Sequence, residues 1–224
     1  MENNKKLIFL IDFDITISKK DSTDILLEIH QPEFKQELRK RYKAGEISIR
    51  EFIKEGLGSL NITKEQYIET LRNNIEIDET FLNFVKSGVE FKIVSAGSRL
   101  NVQGSFLKYG LVLSDEDVIS NDLIFSGINK NEIIVENPFL DEEKYYGVDK
   151  KEIVKKYQKQ GYTVYFVGDG PSDYRAFEVA DFAFVRKGTR AVKFCSEKGI
   201  EFFEFGDFGE ILKHIKEWSW AFKN

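Results

Sequence analysis

The chain has 224 residues, enough for one α/β core with a small second unit. Hydrophobic residues make up 42% and charged residues 32%, and the formal net charge is -5, so no bulk attraction to nucleic acid or anionic lipid is expected and both are excluded as partners. An anionic small molecule would have to be held by local devices, such as a bound cation or a helix start. Cys195 is the single cysteine, which excludes an internal disulfide and fits a reducing compartment. No apolar run approaches membrane-span length, and a cytoplasmic location is expected. Oligomeric state is not legible.

Leu7 to Ile11 is fully apolar, as a buried parallel strand requires, and Asp12 and Asp14 end the run. From Ser22 to about Asn73 the pattern is helical, with no convincing strand. Ser48-Ile49-Arg50-Glu51 and Thr63-Lys64-Glu65-Gln66 are capping-box patterns, each opening an amphipathic stretch. A small all-α cap over residues 18–77 is therefore expected, inserted after the first strand of a core formed by 1–17 and 78–224.

Then strands and helices alternate. Asp78 is positioned to cap a helix carrying Phe81, Leu82 and Val85, with Gly88 as its stop. Phe91 to Val94 predicts a strand, and Arg99 to Tyr109 a helix ended by Gly110. Residues 111–140 hold short β-like runs, Val118-Ile119 and Ile133 to Val135, whose order the pattern does not give. Asp149 and Glu152 frame a further helix start, with Gly161 as stop. Strands are expected at Tyr162 to Val167, Phe182 to Val185 and Glu201 to Phe205. Short helices fall at Asp173 to Ala180 and Ala191 to Glu197. The last helix shows Phe208, Ile211, Leu212, Ile215 and Trp218 at helical spacing. This alternation implies an α/β fold, a parallel sheet with helices on both faces.

Ligands of open α/β sheets bind beyond the carboxyl ends of the strands. Three polar clusters fall there: Asp12-Phe13-Asp14-Ile15-Thr16, Ser95-Ala96-Gly97-Ser98 and Gly168-Asp169-Gly170-Pro171-Ser172-Asp173. Asp12 and Asp14 repel one another unless a cation lies between them or one is protonated. An oxygen-only donor set suits Mg²⁺. Asp169 and Asp173 form a second acidic pair, although a Gly-Pro turn with a helix cap accounts for the same residue types. Ser95 precedes a helix start, a place for an anion or simply a turn. Lys150 opposes the dipole in a first helical turn. It is either a phosphate-neutralising cation or a solvated lysine, and Lys151 beside it is an alternative. His30 and His214 lack partner motifs and are expected in core or surface roles, and Cys195 in packing.

Taken in order, Asp12-x-Asp14-x-Thr16, Ser95, Lys150 and Gly168-Asp169-Gly170-x-x-Asp173 resemble the motifs of the haloacid dehalogenase superfamily of phosphatases. The insert resembles the helical cap of the phosphoserine phosphatase type. Tyr146-Gly147-Val148-Asp149-Lys150 aligns with a Cys-Gly-x-Cys-Lys pattern common in the methylthiopentenyl-phosphate phosphatases of methionine salvage, which favours Lys150 over Lys151. The resemblance implies a Rossmann-like core and hydrolysis of a small phosphomonoester through an aspartyl phosphate. It makes Asp12 the nucleophile and Asp14 the general acid and base. Mg²⁺ would be held by Asp12, Asp169 and the Asp14 carbonyl, with Asp173 in support, and the phosphate by Thr16, Ser95, Ala96 and Lys150. Ile15 departs from the pattern, standing where relatives carry Gly or Ser. Asp21 occupies the place where serine phosphatases use Glu, which makes it a candidate for substrate selectivity; Arg99, which opens the helix after Ser95 and could meet a second anionic group, is another. A phosphotransferase or phosphomutase using the same aspartyl phosphate, and a non-catalytic phosphate-binding protein of this fold, stay open as alternatives.

Overall fold

The computed structural model describes residues 6–126 and 132–221; the side chain of Trp218, expected on the last helix, and residues 127–131 lie outside the described residues. A first strand, β1 (Lys6–Ile11), is followed by four helices: α1 (Ser22–His30), α2 (Pro32–Lys43), α3 (Ile49–Gly58) and α4 (Lys64–Asn74). Next come α5 (Thr80–Lys86), β2 (Phe91–Ser98), α6 (Arg99–Phe106), β3 (Val118–Ser126) and β4 (Glu132–Glu136). The chain continues through α7 (Lys150–Lys159), β5 (Tyr162–Gly168), α8 (Tyr174–Phe177) and β6 (Phe182–Arg186). It closes with α9 (Arg190–Lys198), β7 (Phe202–Phe205) and α10 (Phe208–Ala221). The strands form a seven-stranded sheet of order β4-β3-β2-β1-β5-β6-β7. The expected α/β architecture is present. The run that could not be ordered is a hairpin, with β4 antiparallel to β3 as Ile124 faces Ile134, whereas β1–β5, β2–β3, β5–β6 and β6–β7 are parallel.

By its internal contacts the chain divides into two compact units, one of residues 1–12, 77–92 and 150–224, the other of 13–76 and 93–149. In the first, β1 runs in register with β5 from Lys6↔Tyr162 to Ile11↔Val167. Its apolar run is buried from Ile8 to Ile11. Phe9 meets Phe84 at 5.2 Å and Tyr165 at 5.3 Å between ring centroids, and Phe81 meets Phe208 at 4.9 Å. Burial of one such ring contributes about 1.5–3 kcal/mol, so this cluster is a main source of the unit's stability. Asp78 stands one position before Glu79, the N-cap residue of α5, and its carboxylate accepts from the first helical N–H, Thr80 N at 3.1 Å, as well as from Thr80 Oγ1 at 2.6 Å, Arg186 Nη1 at 3.1 Å and Phe208 N at 3.3 Å. It therefore fastens the starts of α5 and α10 to the end of β6. Gly161, with φ +89°, ends the α7 segment where only glycine adopts the angle without strain.

In the second unit both capping boxes form. Ser48 Oγ accepts from Glu51 N at 3.1 Å while Glu51 Oε2 accepts from Ser48 N at 2.8 Å. Thr63 Oγ1 accepts from Gln66 N at 3.2 Å and Gln66 Oε1 from Thr63 N at 2.9 Å. As expected, no strand interrupts the helices from Ser22 to Asn73. Their packing depends on small residues: a Cβ on Gly56 would lie 3.0 Å from Leu27 Cδ1, and one on Gly104 would lie 3.1 Å from Leu71 Cδ1. Strand β2 runs to Ser98, four residues past its expected end, with a register break between Val94 and Ser98. The hydrogen bonds skipped by the ladder are replaced by a side chain. Asn121 Nδ2 donates to Ala96 O at 2.7 Å and Gly97 O at 3.0 Å, and no periodic pattern of apolar residues signals such a repair. Among the described residues no helix is long and apolar enough to cross a membrane.

Candidate active site

In the first unit, Asp12 leaves β1 with its N–H still donating to Val167 O at 2.8 Å, so strand pairing with β5 fixes its backbone. Lys150 opens α7, and its side chain is 1% exposed. Its Nζ donates to Asp12 Oδ1 at 2.5 Å, to Asp173 Oδ1 at 2.7 Å and more weakly to Ser172 Oγ at 3.4 Å. Lys151 is half-buried and makes no such pair in the described contacts. Burial alone would lower the Lys150 pKa. The attraction of Asp12 and Asp173 outweighs it and holds the ammonium well above its usual 10.5.

Asp173 uses its other oxygen on its own loop. Oδ2 accepts from Asp169 N at 3.0 Å and Gly170 N at 3.1 Å. Gly168 is required here for space: a Cβ would stand 2.5 Å from Asp173 Oδ2. The carboxylates of Asp12, Asp169 and Asp173 each offer an oxygen within 4.8 Å of the others. Three carboxylates against the one Lys150 ammonium leave two negative charges in this group. Such an excess at a largely buried place fits a divalent, oxygen-seeking cation in its donor chemistry.

The other sequence candidates lie in the second unit. Asp14 Oδ1 accepts from Ser22 N at 2.7 Å. Thr16 and Ser95 are fully buried, and Ser95 Oγ accepts from Gly97 N at 3.1 Å, while Ala96 is 9% exposed. Asp21 caps α1, accepting from Asp24 N at 2.8 Å. Burial raises its carboxyl pKa against the opposing pull of Arg39 and Lys35. Arg99 pairs with Asp122 at 2.8 Å and also donates to the carbonyls of Asp115 and Val118, so its guanidinium braces the start of β3. Ile15 has φ +64°, a left-handed conformation that costs a β-branched residue about 1–2 kcal/mol.

Sequence reasoning missed a buried polar hub. Asn101 Oδ1 accepts from the Tyr67 hydroxyl and from Ser98 Oγ at 2.7 Å, and Nδ2 donates to Ser22 Oγ at 2.8 Å and Thr23 Oγ1 at 3.2 Å. All five side chains are buried, and burial pushes the Tyr67 phenol far above its ordinary value. The hub joins α4 and α1 to α6, and through Ser22 it reaches the residue whose N–H holds Asp14. No motif announces it; the only clue is an asparagine three residues after a serine that caps a helix. Asn101→Leu should strip partners from several buried hydroxyls. It should cost about 3 kcal/mol, a fall in Tm of roughly 6–12 °C by calorimetry, and an unchanged Tm would contradict the hub.

The first unit thus carries a centre of three carboxylates and a buried lysine on an α/β fold, and comparison with known proteins finds phosphatases. No protein-family model matches the chain. It is 27% identical to Pdp3-interacting factor 1 of Schizosaccharomyces pombe, covering 97% of this chain and 98% of that protein. It is 26% identical to the polyol phosphate phosphatase PYP1 of Saccharomyces cerevisiae, over 95% and 93% of the two chains. It is 28% identical to the 2-hydroxy-3-keto-5-methylthiopentenyl-1-phosphate phosphatase of Exiguobacterium sibiricum, over 92% and 95%. Among solved structures, a phospho-aspartyl intermediate analogue of phosphoserine phosphatase superposes with a TM-score of 0.68 at 25% identity, covering 94% of this chain and 99% of that one. The resemblance to haloacid dehalogenase phosphatases carried by the motifs thus extends along nearly the whole chain, and the enzyme class is that of a phosphatase.

Proposed function

We propose that the chain is a Mg²⁺-dependent phosphomonoester hydrolase of the cytoplasm, acting on a small phosphorylated metabolite through an aspartyl phosphate on Asp12. The observation that carries this reading is the buried Lys150, bonded to both Asp12 and Asp173 beside the Asp169 carboxylate. Residues 18–77 serve as the helical cap of the core in this reading. Relatives named for polyol phosphate and methylthiopentenyl phosphate support a small substrate, and the net charge of -5 disfavours long polyanions.

In the proposed reaction an Asp12 carboxylate oxygen attacks phosphorus, and the bond from phosphorus to the ester oxygen breaks in line. Asp14 gives its proton to the departing alkoxide. It then takes a proton from water, whose oxygen attacks the aspartyl phosphate, and inorganic phosphate leaves with Asp12 restored. Lys150 holds one Asp12 oxygen, which leaves the other to attack. Thr16, Ser95, Ala96 and Lys150 are assigned to the phosphate oxygens. Asp12 and Asp169 would hold Mg²⁺, with the Asp14 carbonyl as a further donor and Asp173 in support. When bound, the ion supplies positive charge that lowers repulsion between carboxylate and phosphate.

Chelation should abolish release of inorganic phosphate from a panel of small phosphomonoesters, and added Mg²⁺ should restore it. Asp169→Ala should raise the Mg²⁺ concentration needed for half-activity by tenfold or more, and should weaken Mg²⁺ binding measured calorimetrically without substrate. Full activity in metal-free buffer would refute the metal assignment. Transfer of the phosphoryl group to a second alcohol in place of water would favour the phosphotransferase reading.

A further inference from the structure

We propose that Ile15 is a specificity-determining residue, and that its side chain meets an apolar part of the leaving alcohol close to the phosphate. The preferred substrates are then phosphomonoesters with a hydrocarbon group near the ester oxygen, and polyhydroxylated esters are poorer. This inference rests on the hydrolase reading above. Its starting point is a mismatch between residue and backbone. Among the described residues only Ile15, at φ +64°, and Lys144, at φ +56°, are non-glycine residues with positive φ. Glycine, asparagine and aspartate take this conformation readily, whereas a β-branched side chain is the type least suited to it.

The loop enforces the angle. Ile15 N donates to Ser18 Oγ at 3.1 Å, and Ile17 N and Ser18 N both donate to Phe13 O, at 2.8 and 2.9 Å. The strain is not offset by burial in the core. Ile15 is 36% exposed, while Phe13, Thr16 and Ile17 on either side are fully buried. A strained apolar side chain that does not fill the core points to a role outside folding. Its place identifies that role. Ile15 directly follows Asp14, the proposed acid at the ester oxygen, and lies three positions after Asp12, so the chain itself limits its Cα to within about 11 Å of that of the proposed nucleophile. An apolar surface so near the point of departure discriminates among alcohols by dehydrating those that carry carbon rather than hydroxyl there.

The test uses Ile15→Gly and Ile15→Asn, both compatible with the left-handed angle. Each is assayed on 3-methylbutyl phosphate and on glycerol 1-phosphate, with Tm recorded. The expected result is a Tm equal to or about 2–4 °C above that of the unchanged protein, a fall of about tenfold in kcat/KM for 3-methylbutyl phosphate, and a change of less than threefold for glycerol 1-phosphate. Ile15→Asn should go furthest toward the polyol ester. Variants that keep the ratio of the two substrates within threefold overturn the inference and leave the hydrolase reading standing. A lowered Tm with equal loss on both esters assigns Ile15 to packing and also overturns it. An unchanged protein that hydrolyses neither ester nor any other phosphomonoester removes this inference and the hydrolase reading together.

Discussion

Replacing Asp12 by asparagine is expected to remove turnover by about 10⁴-fold or more while leaving a folded protein. The amide matches the carboxylate in size, and its oxygen can still accept from Lys150 Nζ, so the 2.5 Å contact has a neutral substitute. What disappears is the proposed nucleophile. The charge balance also changes mildly: the excess of two negative charges among Asp12, Asp169, Asp173 and Lys150 falls to one. Mg²⁺ affinity should therefore weaken in the same variant. Steady-state release of phosphate, with circular dichroism as the control for folding, measures the effect. Activity within tenfold of the unchanged enzyme would exclude Asp12 as the attacking group.

Lys150→Met should be the more damaging to stability. The side chain is 1% exposed, and its removal leaves the carboxylates of Asp12 and Asp173, 6% and 0% exposed, without the cation between them. Breaking a buried pair from one side typically costs about 3–5 kcal/mol, so Tm should fall by roughly 10 °C, with catalysis lost as well. The pH dependence distinguishes this cause from lost packing. In the unchanged protein the Lys150 pKa lies above 10.5, so its stabilising contribution is complete below that value and is lost only as pH rises through the higher folded value. The deficit of the variant should therefore be complete near neutrality and shrink as pH rises through that folded value. A deficit that stays constant into strongly alkaline pH would point to packing alone.

Much of the architecture is written in local patterns. The Leu7 to Ile11 run, the two capping boxes and the glycines at 110 and 161 each depend on residues close together in the chain, and all appear where that chemistry puts them. Features that depend on distant partners are invisible in the same way. Strand β2 continues past Val94 because Asn121, more than twenty residues later, satisfies the Ala96 and Gly97 carbonyls. Asp78 caps the start of α5 as its position suggests, but its further bonds to Arg186 and Phe208, more than a hundred residues on, carry no local signal. The candidate site divides similarly. Asp12, Lys150, Asp169 and Asp173 carry motif spacing and were legible as residue types, but that Lys150 joins Asp12, 138 residues away, to Asp173 appears only in the folded chain. Asn101 and Tyr67 have no motif at all, since a hydrogen-bonded hub asks only that polar groups meet in the core.

The way the chain is apportioned between its two units also sets an order of assembly during synthesis. Residues 13–76 and 93–149 are all present once Asp149 has emerged, so that unit can form early. The unit bearing Asp12 cannot, because its largest segment is the last, 150–224. Strand β1 is made first, yet its register partner β5 begins at Tyr162. At a synthesis rate of about 5–20 residues per second, β1 waits roughly 8–30 seconds with this edge unpaired. An apolar strand held open for that interval is a target for chaperones and for aggregation. Expression yield should consequently respond to translation speed over residues 13–161 more than to changes within the early helical unit.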